Sequence, residues 1–367
     1  MKRIRLSVVD FGLGYGLADR VLDWVVDRYD VAFVPRDAEY VLHSCNGCDV
    51  LRHPGVRIFV TGENVLPDFN ISDYAFGFAR LSFGDRYHRL PLYRLYKPVY
   101  ASLLRPRPPV DDLLRSKTGF CAFVASSPAD APSRRKIVEL LAAYKRVDLG
   151  GRWMNNVGGP VPNKYAFQSR YKFAIACENC STPGYATEKL ADAFASGAVP
   201  IYWGDPTIAQ DFNPDAFVNC HDFGSLEEAA ACVREIDRDD ARYCRMLAAP
   251  SFRNGCEPEQ LREEALRAFL ANVFDQPYEQ AFRRNRGRWG RKHEQRLADA
   301  FHRPLVQIGR WWKASRRRVH MAQHPYHWQP VAEGVTADTL LQFGTRLDCF
   351  RDPLPRSATR RRVEQVQ

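Results

Sequence analysis

Short, nearly unbroken apolar runs recur along this chain with amphipathic stretches between them, and that alternation restricts the fold more than any other feature. RIRLSVVD (residues 3–10) reads as a buried strand, LADRVLDWVVDRY (17–29) as an amphipathic helix, and VAFVP (31–35), YVLHS (40–44) and VRIFVTGEN (56–64) as further strands. Strands interleaved with helix or loop predict a parallel α/β sheet. The pattern breaks at RPRPPVDDLLRSKTG (105–119), a Pro-rich polar linker, and then restarts. FCAFVASS, VDLGG, KFAIAC and AVPIYW are strand-like; SRRKIVELLAAYK, KYAFQSRY, TEKLADAFAS and SLEEAAACVREI are helical. The expectation is an α/β protein with two Rossmann-like domains, residues 1–107 and 116–275, facing each other across a cleft. A ligand would meet the carboxyl ends of the strands there. With 367 residues, each domain is large enough to bury its own core.

The formal charge of +10 is concentrated near the C-terminus. Residues 282–318 hold thirteen Arg and Lys against Glu294 and Asp299, a net of +11, so the other 330 residues sum to about −1. Residues 276–367 therefore read as a basic tail, with Trp289, Trp311 and Trp312 among its arginines. Arginine with tryptophan suits an anionic lipid surface, and the tail is expected to dock on the inner leaflet, with no nucleic acid expected as a partner. No run approaches the roughly 18 apolar residues of a membrane span, and the N-terminal apolar stretch is cut by Asp10, so the expected location is cytoplasmic, peripheral on the inner membrane face. Ten scattered cysteines are read as reduced thiols, and the sequons at Asn70 and Asn179 carry no weight without export.

The stretch ENCSTPGYATEKLADAFASGAVPIYWGDP (178–206) concentrates chemistry. Glu178 and Asn179 stand where a buried strand should emerge at the cleft, as Glu63 and Asn64 do after RIFVTG. Thr182, Pro183 and Gly184 make a turn, Thr187 is the expected N-cap of a helix, and Glu188 and Lys189 fall in its first turn. A lysine there opposes the helix dipole by a few tenths of a kcal/mol to about 1 kcal/mol. An anion bound at the helix start would repay that mismatch, because free N–H groups and an ammonium would converge on it; a solvated surface pair is the plainer reading.

With these residues in view, ENCSTPGYATEKLADAFASGAVPIYWGDPTIAQDFNPDAFVNCHDF resembles the signature of the α-1,3-fucosyltransferases, glycosyltransferase family 10. FVTGENVLPDFNISDYAFGFARLSFGDRYHRLPLY is similar to the acceptor-side segment of its bacterial members, and FVASSPADAPSRRK to the opening of the donor domain. The resemblance spans most of residues 57–224 and leaves out the N-terminus and the tail. It implies a GT-B fold and inverting transfer of L-fucose from GDP-β-L-fucose to an acceptor oligosaccharide, α-1,3 to GlcNAc of an N-acetyllactosamine-type or lipopolysaccharide glycan. By the same resemblance Glu63 is the general base, Arg134 and Lys189 clamp the diphosphate, Glu188 bonds ribose or fucose hydroxyls, and Tyr185 and Asn179 line the donor pocket. Inverting displacement needs a carboxylate opposite the leaving group, and a departing nucleotide diphosphate needs fixed cations, so no cofactor or metal is required. Cys177 replaces a usual aromatic, and CSTPG a more Gly-rich turn. Two alternatives stay open: another nucleotide-sugar-dependent GT-B glycosyltransferase, or a membrane- or nucleic-acid-binding protein acting through the tail.

Other signals are weaker. Gly12, Gly14 and Gly16 follow a strand, but Leu17 stands where a dinucleotide fingerprint needs its third glycine. Cys45-x-x-Cys48 and Cys177-x-x-Cys180 have zinc-knuckle spacing but lie far apart in sequence. Asp237-Arg238-Asp239 has a D-x-D form and is expected to be a solvated helix end.

Overall fold

The computed structural model describes residues 1–12, 16–126 and 132–302. The first sheet is built from β1 (Arg3–Val9), β2 (Asp30–Phe33), β3 (Tyr40–His43), β4 (Val56–Phe59), β5 (Tyr74–Gly77) and β6 (Tyr87–Arg89), with α1 (Gly16–Val26) between β1 and β2. All neighbours are parallel, in the order β2-β1-β3-β4-β5-β6. Ile4, Leu6 and Val8 point to one face and meet Leu17, Val21 and Leu22 of α1, the joint result of a period of two and a period near 3.6. Strands β5 and β6 escaped the sequence reading because YAFG and YHR are too short and too interrupted by glycine and arginine to show a period.

α2 (Leu92–Leu95), α3 (Lys97–Leu103) and α4 (Val110–Arg115) lead to the second sheet. It comprises β7 (Gly119–Phe123), β8 (Val147–Leu149), β9 (Tyr171–Cys177), β10 (Val199–Trp203) and β11 (Val218–Asn219), all parallel, in the order β11-β10-β9-β7-β8. Its helices are α5 (Pro132–Ala142), α6 (Lys164–Gln168), α7 (Glu188–Ala195), α8 (Leu226–Arg238) and α9 (Asp240–Ala248). The central strand β9 shows how the layers form. Phe173, Ile175 and Cys177 enter a core with Ile137, Leu141 and Val233 of α5 and α8; Ala174 and Ala176 enter another with Leu190 and Phe194 of α7. So α5 and α7 lie on opposite faces of β9, and the alanines let α7 approach closely.

The two halves exchange their ends. Tyr93, Val99, Tyr100 and Leu103, from α2 and α3, lie in the core of the second half. Conversely α10 (Glu263–Asp275) crosses back and buries Leu266, Phe269, Leu270, Val273 and Phe274 against the first sheet. At about 1.5–3 kcal/mol per large apolar side chain, that helix is a substantial part of the first core. The expected boundaries at 107 and 275 fall after α3 and at the end of α10, yet α2 and α3 pack on the second half and α10 on the first: an apolar stripe predicts a helix but not the sheet it covers.

Nor does the basic segment begin as a free tail. α11 (Arg288–His302) and the turn before it are tied to the first half by two largely buried ion pairs and a more exposed histidine contact. Arg57, only 2% exposed, donates to Glu294 at 2.7 Å, Arg284 pairs with the fully buried Asp73, and His293 Nε2 lies 2.8 Å from Asp68. The stretch beyond 302, with Trp311 and Trp312, lies outside the described residues.

Candidate active site

The chain leaves β4 through Val60, Thr61 and Gly62 and places Glu63 exposed at the carboxyl end of the first sheet. The Glu63 amide donates to Thr61 Oγ1 at 3.1 Å, which fixes the bend. Across the cleft, β9 ends at Cys177 and delivers Glu178 and Asn179. The two loops touch. Asn64 Nδ2 donates to Thr182 Oγ1 at 2.8 Å, and the Tyr185 hydroxyl lies 3.5 Å from the Gly62 carbonyl. Gly184 sits at φ +84°, where a Cβ would come 2.7 Å from the Phe78 carbonyl of the first half, so both the conformation and the approach call for glycine.

The two expected cations are both there, each in the first turn of its helix. Arg134 in α5 is 2% exposed, its Nη1 donates to Asn179 Oδ1 at 3.3 Å, and its guanidinium lies 5.2 Å from the Trp153 ring centroid. Burial lowers its pKa from the usual arginine value. Lys189 in α7 donates to Glu178 Oε2 at 2.8 Å and to Thr187 Oγ1 at 2.7 Å, with Glu188 Oε1 at 3.7 Å. Burial pulls the Lys189 pKa down, but Glu178 and then Glu188 outweigh it and hold the ammonium above the ordinary lysine range. Glu188 is likewise held below the usual carboxylate range: burial opposes its charge, and Lys189 with Lys164 overcomes that. Burial raises the Tyr185 phenol. Thus Arg134, Asn179, Tyr185, Glu188 and Lys189 gather at one end of the second sheet, and the loop of Glu63 faces them.

Glu178 is legible in the sequence as a strand-end carboxylate on the donor side, but its partners are not. It is fully buried, accepts from the Thr187 amide at 2.7 Å and the Thr187 hydroxyl at 2.7 Å, and pairs with Lys189. Thr187 is the N-cap of α7 by position, but its side chain makes no cap bond; it is spent on Glu178 instead. A Cβ on Gly204 of the next loop would lie 2.4 Å from Glu178 Cγ, so that glycine makes the room. The signal was available as a carboxylate just past a buried strand, eleven residues before a lysine, but sequence separation does not reveal the fold-back.

The side signals resolve structurally. Asp237 is buried rather than solvated, bonded by Lys145 at 2.5 Å and Lys172 at 2.8 Å, and Asp239 caps α9 by accepting from the Arg242 amide at 2.9 Å. Cys177 is fully buried in an apolar core, and burial pushes its thiol well up. Among the described residues no group of three or more His, Cys, Asp or Glu is placed to hold a metal ion.

The halves meet over a buried charged seam. Asp211 of the second half, 2% exposed, accepts from Arg80 at 2.7 Å, Arg89 at 2.6 Å and the Tyr93 hydroxyl at 2.9 Å, all from the first half.

Comparison with known proteins agrees with this architecture. Residues 6–96 match the family model for the N-terminal domain of alpha-(1,3)-fucosyltransferase FucT, and residues 114–265 match that for the C-terminal part of glycosyltransferase family 10 (fucosyltransferase). The match starts at residue 6, so it takes in the N-terminal strands that the sequence resemblance left out. Alpha-(1,3)-fucosyltransferase FucT of Helicobacter pylori is 40% identical over 221 residues, 52% of this chain and 46% of that one. The chain thus spans about half the length of that curated relative. A crystal structure of an alpha1,3-fucosyltransferase with GDP superposes with a TM-score of 0.64 at 30% identity, covering 75% of this chain and 91% of that one. Another with GDP-fucose gives 0.62 at 29%, covering 76% and 93%.

Proposed function

Because the chain belongs to glycosyltransferase family 10, the fucosyltransferases, we propose that it moves L-fucose from GDP-β-L-fucose to a hydroxyl of an acceptor glycan with inversion. The observation that carries this reading is the opposition across the cleft: an exposed carboxylate, Glu63, on the loop that touches the 180–185 turn, against Arg134 and Lys189 at the other sheet's carboxyl end. Glu63 takes the acceptor hydroxyl proton as that oxygen attacks the anomeric carbon and the bond to the diphosphate breaks on the opposite face. Arg134 and Lys189 receive the charge growing on GDP, the arginine as a planar fork and the lysine as a point charge. Asn179 and Tyr185 line the donor pocket, and Glu188 bonds the donor's hydroxyls. The acceptor is proposed to be GlcNAc of an N-acetyllactosamine-type or lipopolysaccharide glycan, fucosylated at O3.

Incubation with GDP-fucose and a panel of both acceptor types, followed by linkage analysis of the products, tests this. An α-1,3-fucosylated product is expected; no transfer to any member, with UDP-glucose raising the melting temperature as much as GDP-fucose, would overturn it. Two fixed cations supply the charge a divalent metal would, so activity should persist in EDTA; complete loss restored by manganese would refute that part.

A membrane surface is a second proposed partner. No helix among the described residues is long and apolar enough to cross a bilayer. On α11, however, Trp289 is 66% exposed, with Lys292 and Arg296 following on the same face. That stripe would attract anionic headgroups at up to about 1 kcal/mol per cation. Binding to anionic but not neutral vesicles at low salt, lost on removing Trp289 and the exposed cations, is the expected result.

A further inference from the structure

Successive residues of a strand point to opposite faces, and the two that follow β9 keep that alternation. Glu178 turns toward α7 and meets Lys189; Asn179 turns toward α5 and meets Arg134. The dipeptide at the strand end therefore catches one cation from each flanking helix. An ammonium carries three N–H donors. Lys189 spends two of them on Glu178 Oε2 and Thr187 Oγ1, the Thr187 hydroxyl in turn donates a hydrogen bond to Glu178, and the tetrahedral geometry fixes the direction of the third.

We propose that Glu178 is a positioning residue for the donor: it keeps Lys189 charged and in one rotamer before GDP-fucose arrives, leaving the third N–H for the diphosphate. The inference rests on the reading of Lys189 as a diphosphate ligand. It deepens that reading by giving the buried carboxylate a task beyond packing. A lysine in the same place without that partner would lose rotamer freedom on binding, and burial, the largest influence on the Lys189 pKa here, would pull it down with one carboxylate fewer to oppose it. Among the described residues, the charged and titratable groups facing it are Glu178 from the strand end, Glu188 from α7, itself matched by Lys164, and Tyr185 from the turn.

The test is GDP affinity against pH for the whole chain, measured calorimetrically at pH 7.5 and 9.5. In the unaltered protein only the guanine's own ionisation should weaken binding over that span. In Glu178→Gln, which keeps the shape and loses the charge, affinity at pH 9.5 should fall about tenfold further. Adding Lys189→Arg, whose guanidinium stays charged at both pH values, should abolish that extra loss. If Glu178→Gln does not fold, Thr187→Val removes one of Lys189's two anchors and keeps the charge of the carboxylate, which loses only the hydroxyl's hydrogen bond and retains that of the Thr187 amide. It should weaken GDP binding about threefold to tenfold, with Thr187→Ser restoring it. A pH profile in Glu178→Gln that tracks the unaltered chain overturns the inference alone, and so does full GDP affinity in Thr187→Val. No GDP binding by the unaltered chain would overturn the donor reading and this inference with it.

Discussion

Glu63 and Lys189 differ in how they are held, and the difference sets what each substitution should do. Glu63 is exposed, with a backbone fixed by Thr61 and a side chain open to the cleft. Glu63→Gln should leave melting temperature and GDP affinity nearly unchanged while kcat falls by a factor of about 10² to 10⁴, read by product formation against nucleotide binding. Retained turnover would move the base elsewhere. Lys189 is built into a buried network, so Lys189→Ala removes a proposed ligand of the diphosphate and also leaves Glu178 as a buried carboxylate without its cation. GDP binding and transfer should weaken by about 2–4 kcal/mol in the transition state, and stability should drop as well. Arg134→Ala should resemble it in binding; loss of binding in neither variant would refute the clamp.

At the scale of elements, the turn between β9 and α7 matters most. Gly184 has a left-handed φ, its amide donates to Asp205 Oδ1 at 2.7 Å, and it lies against the backbone of the first half. Gly184→Ala should cost about 1–3 kcal/mol from backbone strain alone. Because the added methyl meets the Phe78 carbonyl, it should also lower kcat more than GDP affinity, since the proposed GDP ligands all lie on one side of the contact. A variant with unaltered stability and turnover would show that the halves do not need this approach. α10 makes a similar point, as an element that sequence assigns to one half and structure to the other, and so does α11, which sequence assigns to a tail and structure docks on the first half.

For the molecule as a whole, Asp211 and the returning C-terminal segment bind the halves into one unit. Asp211 is held below the usual carboxylate range: burial opposes its charge, while Arg89 and Arg80 overcome it. A carboxylate depressed in the folded state stabilises above its unfolded pKa, and that stabilisation is lost as pH falls from about 4 through the depressed value. Asp211→Ala leaves Arg89 buried and unpaired, so chemical denaturation at neutral pH should show a loss of about 3–5 kcal/mol. A stability unchanged from the parent would mean the seam carries no energy. Truncation should be position-dependent. A chain ending after His302 keeps Arg284 and Glu294 and should fold and bind GDP, whereas one ending before Phe282 strips Asp73 and Arg57 of their partners and should unfold the first half well below the parent's melting temperature. Equal melting of the two truncations would contradict this docking.

The order of strands and helices on both sides of the Pro-rich break was legible in the chain, because burial on both faces of a parallel strand leaves an unbroken apolar run and a helix leaves its own period. The signature around Glu188 and Lys189, and the carboxylate at the end of β4, were legible too, since residues that emerge from buried strands need a reason to be polar. Folding alone decided what each apolar or charged face meets. Leu266 and Phe269 carry a clear helical stripe, yet only the tertiary structure assigns it to the first sheet. Arg284 and Glu294 look like part of a solvated basic tract and are instead partners of Asp73 and Arg57, 211 and 237 residues away in sequence. Thr187 has the sequence of a helix cap and spends its hydroxyl on Glu178. Periodicity is a local property, written within a few residues of where it acts; pairing is a property of distance in space, and a chain carries no local mark of which distant charge will close over its own.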